Sequence, residues 1–208
     1  MNRIKITKPI NSLLQSSKTL RMRKAFTCLF ALALLLFSSV VSFAQLNKVN
    51  PWAVEAAFLR NFTRYVSWPD TAFSNETTPW NICILGKDPF GNLLDNALQG
   101  RIERGRTFST LRINTPMQAK QCQIVYISYE IGMNRRAALN QLQQLPILTV
   151  SNAPEFLNEG GIIRFDIDDF IEMNINLDQA QSASLEIQTK MLELSQEVIR
   201  KGIVHRMR

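Results

Sequence analysis

The chain has 208 residues, 46% of them hydrophobic, and a formal net charge of +7 from 24 Lys+Arg and 17 Asp+Glu. Seven of the basic residues (Arg3, Lys5, Lys8, Lys18, Arg21, Arg23 and Lys24) precede residue 45, whereas no acidic residue precedes Glu55. Removing those seven leaves 17 basic against 17 acidic residues from Gln45 onward, so the excess charge does not argue for a nucleic-acid partner.

An apolar run from Ala25 to Val41 follows the basic segment and closes at Ser42-Phe43-Ala44, with small residues at the two positions a signal peptidase reads. Residues 1–44 are therefore expected to be an export signal cleaved after Ala44. The alternative is an uncleaved anchor helix, although this core is at the lower limit for spanning. Cys28 sits inside the core rather than at its end, which argues against lipid attachment there. Residues 45–208 suit one domain of ordinary size and hold no further apolar run of spanning length. The mature chain is expected to be periplasmic and not inserted in the membrane.

Pro51 suits the first turn of a helix, and Val54, Phe58, Phe62, Tyr65 and Val66 recur at helical spacing until Ser67-Trp68-Pro69-Asp70 stops it. Trp80 to Leu85 reads as a buried strand, Phe90 to Leu98 as a short helix, and Phe108 to Ile113 as a half-exposed strand. Cys122 to Ser128 is a second buried strand, Met133 to Gln144 an amphipathic helix, and Ile147 to Val150 a strand. Ser151 is read as the N-cap of a short helix through Phe156 and Leu157. Ile162 to Phe165 and Phe170 to Ile175 form a predicted antiparallel hairpin at one edge, turning at Asp166 to Asp169, and Asn176 to Lys201 a long helix. Strands alternating with helices predict an α/β domain, a mostly parallel sheet covered on both faces.

Cys83 and Cys122 are the two cysteines left after cleavage. An even pair in an exported protein reads as a disulfide, the alternative being two separate buried thiols. Little else carries chemistry. His205 is the only histidine and lies close to the end of the sequence, which disfavours a His-based triad or metal site. No catalytic group, metal or cofactor is expected. Gly86-Lys87-Asp88-Pro89-Phe90-Gly91 stands between a strand and a helix but matches neither phosphate-loop pattern, and its proline removes an amide donor. Asp166, Asp168 and Asp169 lack the glycine and closing glutamate of a calcium loop. Arg101, Arg104 and Arg106 read as a solvated basic turn.

Two surfaces remain as candidates. One is a partner face built from the end of the first helix, Arg60, Arg64 and Trp68, together with Glu172, Asn174 and Asn176, whose side chains alternate onto one face of a predicted edge strand. The other is a ligand pocket at the C-terminal ends of the strands, lined by Lys87, Asp88, Ser128, Tyr129, Ser151 and Asn152.

Four segments together resemble the YfiR-like family of exported bacterial proteins: FLRNFTRYVSWP (58–69), NICILGKDPFGNLLD (81–95), CQIVYIS (122–128), and ILTVSNAPEFLNEGGIIRF (147–165) continuing to FIEMNI (170–175). The resemblance spans essentially the whole mature chain. It implies a periplasmic three-layer α/β domain, Rossmann-like in layering but without the nucleotide fingerprint. It also implies a non-catalytic negative regulator that binds the periplasmic sensor domain of an inner-membrane diguanylate cyclase and lowers cyclic di-GMP output. A homodimer is left open. Cys83 and Cys122 match the positions of a family disulfide, whereas the second cysteine pair of some relatives, in the region of residues 157–164, is absent here. The competing readings are a periplasmic small-ligand binder and, with no nucleophile–base pair in the sequence, an enzyme.

Overall fold

Helix α1 (Pro51–Tyr65) begins where the sequence supplies both a cap and a fixed φ. The Asn50 side chain accepts a hydrogen bond from the Trp52 amide, and Pro51 occupies the first turn. The structure is a computed structural model in which residues 50–167 and 171–207 are described. The expected export signal at 1–44 and the acidic residues Asp168 and Asp169 lie outside the described residues. The buried stripe of α1 is Glu55, Ala56, Leu59, Phe62 and Thr63, rotated by part of a turn from the expected one. Val54, Phe58 and Tyr65 are only half-buried, and a carboxylate lies in the stripe.

The chain continues through β1 (Val66–Ser67), β2 (Trp80–Leu85), α2 (Asn92–Leu98), β3 (Ile102–Glu103), β4 (Arg106–Ile113), β5 (Ile124–Ile127), α3 (Gly132–Leu142) and β6 (Leu148–Ser151). β7 (Ile163–Ile167), β8 (Ile171–Asn176), α4 (Leu177–Ser182), β9 (Glu186–Ile187), α5 (Thr189–Leu194), β10 (Glu197–Arg200) and β11 (Ile203–Arg206) follow. Among the described residues nine strands form one sheet in the order β11-β10-β8-β7-β6-β5-β2-β4-β3. The run from β4 to β7 is parallel, as is the β8–β10 pair, whereas β3–β4, β7–β8 and β10–β11 are antiparallel.

Every residue of β2, β5 and β6 is buried, the condition of strands covered on both faces. Alternation along β2 sends Ile82 and Ile84 into one core with Leu59 and Phe62 of α1, and Cys83 and Leu85 into a second with Ala138, Leu139 and Leu142 of α3. The result is three layers, as the sequence predicts. Cys83 and Cys122 are bonded, with Cα atoms 6.0 Å apart. The bridge staples β2 to the segment entering its neighbour β5, where Cys83 is in register with Val125.

Four expectations fail in the last third of the chain. The long helix from Asn176 to Lys201 is instead α4, β9, α5 and the β10–β11 hairpin. Val198 and Ile199 are β-branched, and Lys201 and Gly202 both take positive φ (52° and 69°), the conformation of a two-residue hairpin turn. The Asp178 carboxylate fixes this turn by accepting from both amides at 2.8 Å, and those bonds hold its pKa below the usual carboxylate range. The β7–β8 pair is antiparallel as expected but is not an edge, because β10 pairs with β8. Finally, Ser151 ends β6 and caps no helix; residues 154–160 are turns. Asp166 belongs to β7 rather than to a turn.

Because the bridge closes a loop of separation 39, Cys83→Ser is expected to lower stability by about 2–4 kcal/mol in denaturant melts. The double change with Cys122→Ser should cost little more than either single one, since both remove the same cross-link.

Candidate functional site

The C-terminal ends of β2, β5 and β6 open onto a cavity of about 530 Å³. Lys87, Ser128, Tyr129, Ser151 and Asn152 all line it, together with Trp52 of α1, Tyr126 and Arg135. Of the six residues expected at a pocket, Asp88 alone faces elsewhere. Its carboxylate accepts from the Phe90 and Gly91 amides and from Arg112 Nε at 3.0 Å. Arg112 also reaches Asp95 at 2.7 Å, which keeps that carboxyl below its ordinary range. Asp88 thus shapes the loop after β2 instead of facing a ligand.

Glycine is required at the mouth. Gly86 has φ +105°, and a Cβ there would meet Ser128 Oγ at 2.9 Å and the Tyr129 ring at 3.1 Å. The Ser128 hydroxyl donates to the Lys87 carbonyl at 2.6 Å, tying the β2 and β5 loops together. Ser151 Oγ donates to the Ile127 carbonyl at 2.7 Å. Tyr129 OH donates to the Asn114 carbonyl at 3.3 Å. Arg135, nearly buried, forms a two-pronged pair with the buried Glu159 at 2.7 and 2.8 Å. Its remaining donor group serves the Tyr129 and Glu130 carbonyls at 2.8 Å. Every guanidinium nitrogen therefore holds the loop rather than facing a solute.

Beneath this lining lies a residue that sequence reasoning missed. Glu55 is fully buried, and neither carboxyl oxygen has a hydrogen-bond partner among the described residues. The hydroxyl of Tyr126, itself 1% exposed, is likewise unpartnered. Burial pushes the Glu55 carboxyl from 4.5 up to about 7. The nearby Tyr126 and Asn152 side chains offset part of that, though neither makes a hydrogen bond of good geometry with it. Burial and the Glu55 charge raise the Tyr126 pKa in turn. One sequence signal was available: Glu55 precedes Leu59 by four residues and Phe62 by seven, so it shares their helix face.

The expected partner face does not survive as drawn. Asn174 is 1% exposed; it donates to Asp166 at 2.7 Å and accepts from the Glu197 amide at 3.0 Å, joining β7, β8 and β10. Asn176 is buried, caps α4 by accepting from the Gln179 amide, and donates to the Leu157 carbonyl. The start of β10 and the 154–160 turns supply the main-chain partners that take up these two side chains. Glu172 alone of the three is exposed. At the end of α1, Trp68 Nε1 donates to the Gln123 carbonyl at 3.1 Å and its ring meets Trp80 edge-on, so this indole packs the fold. Arg64 is exposed and pairs with Glu103 at 2.5 Å, and Arg60 lies half-buried beside Asn61. His205 stands on the exposed β11 at the far end of the sheet from β4.

Taken together, these features define a disulfide-stapled α/β domain whose cleft lacks the glycine fingerprint of a nucleotide site. Residues 52–196, more than half of the chain, match the family model described as YfiR/HmsC-like, and the chain belongs to that family. No curated protein matches it. Among the described residues no helix is long and apolar enough to cross a membrane.

The raised Glu55 pKa fixes the sign of a pH effect. Below about 4.5 the folded and unfolded chains both hold the proton and the contribution vanishes. As pH rises the unfolded chain ionises first, so stability falls until about pH 7 and is constant beyond it. Glu55→Gln is expected to remove this loss, gaining up to about 3 kcal/mol at pH 8 and little at pH 4. Urea melts of both proteins across that range measure it.

Proposed function

We propose that the protein is a non-catalytic periplasmic regulator that binds the periplasmic sensor domain of a membrane-bound diguanylate cyclase and holds its cyclic di-GMP output down. The YfiR/HmsC-like match over residues 52–196 carries this reading. The charge pattern of the first 44 residues and the disulfide suit an exported chain. Within the proposed partner surface, the exposed Arg64 and Glu172 are the side chains available for contact, because Asn174 and Asn176 are committed inside the sheet.

Deleting the gene is expected to raise cyclic di-GMP, and the protein should retrieve the cyclase from solubilised membranes. Glu172→Lys or Arg64→Glu should weaken that capture with abundance and melting temperature unchanged. Unaltered cyclic di-GMP in the deletion strain would sink the regulatory reading. Normal capture by both variants would move the contact elsewhere on the surface.

A further inference from the structure

The cavity at the strand ends has a lopsided polar inventory. Most of its donors are already committed: Ser128 and Ser151 give their protons to main-chain carbonyls, Tyr129 to Asn114, and Arg135 to Glu159 and two loop carbonyls, which leaves the Trp52 indole N–H and the Asn152 side-chain amide. The acceptor capacity toward the cavity lies on the serine oxygens, the Glu130 carboxylate, the Asn152 amide oxygen and the unpartnered hydroxyl of Tyr126. Behind Tyr126 and Asn152 stands Glu55, buried with both oxygens unpartnered among the described residues. Glu55 lies three residues after Trp52, which lines the cavity, and so shares its helix face. Lys87 is the one lining cation not already paired among the described residues, and it is exposed at the rim where solvent screens it. The walls carry the aromatic rings of Trp52, Tyr126 and Tyr129, surfaces that attract cations.

We propose that this cavity binds a small organic ammonium ion, a primary amine on a compact apolar body, with the Tyr126 hydroxyl meeting its charged end and Glu55, which stands behind that hydroxyl and does not itself line the cavity, supplying the counter-charge. The volume of about 530 Å³ is in the range of small-molecule pockets. A buried carboxylate is costly without a counter-charge; an ammonium ion supplies that charge and a hydrogen bond to the unpartnered Tyr126 hydroxyl at the lining. The aromatic walls take the apolar body. This site stands independently of the regulator reading and does not require a cyclase.

Phenethylamine, 2-phenylethanol and phenylacetate present one apolar body with a cationic, neutral or anionic end. Thermal melts and titration calorimetry of the purified protein at pH 8 compare them. Phenethylamine is expected to raise the melting temperature by about 5 °C at a hundredfold excess over its dissociation constant, and the other two by little. Glu55→Gln keeps the shape and should weaken phenethylamine at least tenfold. Tyr126→Phe keeps the ring and should weaken it by about tenfold. No shift with phenethylamine overturns the proposal, as does an equal shift with 2-phenylethanol. A larger shift with phenylacetate overturns it in favour of anion recognition through Lys87. Undiminished phenethylamine binding by both variants overturns the assignment to Glu55 and Tyr126.

Discussion

Three adjacent parallel strands buried on both faces set the rest of this structure. Once β2, β5 and β6 are apolar at nearly every position, a helix must cover each side, and crossovers must return the chain to the same end of the sheet. The loops that leave the strands then converge. Lys87, Ser128 and Asn152 meet at one cleft although they are widely separated in sequence. Their meeting follows from parallel register and from no local preference of those residues.

The fold carries some local cost at this cleft and offsets it around the rim. Glu55 and Tyr126 keep unsatisfied polar atoms in the α1 layer. On the opposite layer the buried Arg135–Glu159 pair has every guanidinium nitrogen engaged, and the bridge from Cys83 to Cys122 anchors the neighbouring strand. Among the described residues the unpartnered buried side-chain oxygens all belong to Glu55 and Tyr126, beside the strand-end cleft, the pattern expected of a site rather than of a packing error.

Much of the sheet was legible because its strands are short apolar runs bounded by turn residues. WNICIL matches β2 residue for residue, and the turn at Gly86 follows directly. The misreadings share one cause, the dependence of a segment on partners distant in sequence. Leu185, Met191, Leu192 and Val198 fit a helical period, yet Leu185 joins the core from the link between α4 and β9, Met191 from α5, and Val198 is drawn into the sheet by β8. Asn174 and Asn176 alternate like wet residues, but the carbonyl and amide partners that consume them lie on Leu157 and Glu197. Five of the six residues expected at the strand ends line the cavity, whereas Asp88 is held away from it by Arg112. Glu55 was hidden by its charge, since a carboxylate in an amphipathic helix reads as solvent-facing until the orientation of the helix is known.

The β10–β11 hairpin lies beyond the family match, which stops at Gln196. It nevertheless supplies the outermost strand of the sheet on that side among the described residues. β11 offers Ile203 and Val204, 61% and 55% exposed, beside a row of main-chain groups with no strand outside them. Strand pairing reads backbone rather than side chains, so such an edge is indiscriminate by nature. Its brevity, four residues, and the polar tips of His205 and Arg206 are what hold it in check. Behaviour in crowded solution therefore rests on a few residues remote from the cleft. Relatives with other sequences at this edge are free to differ in solubility and self-association while keeping the same domain.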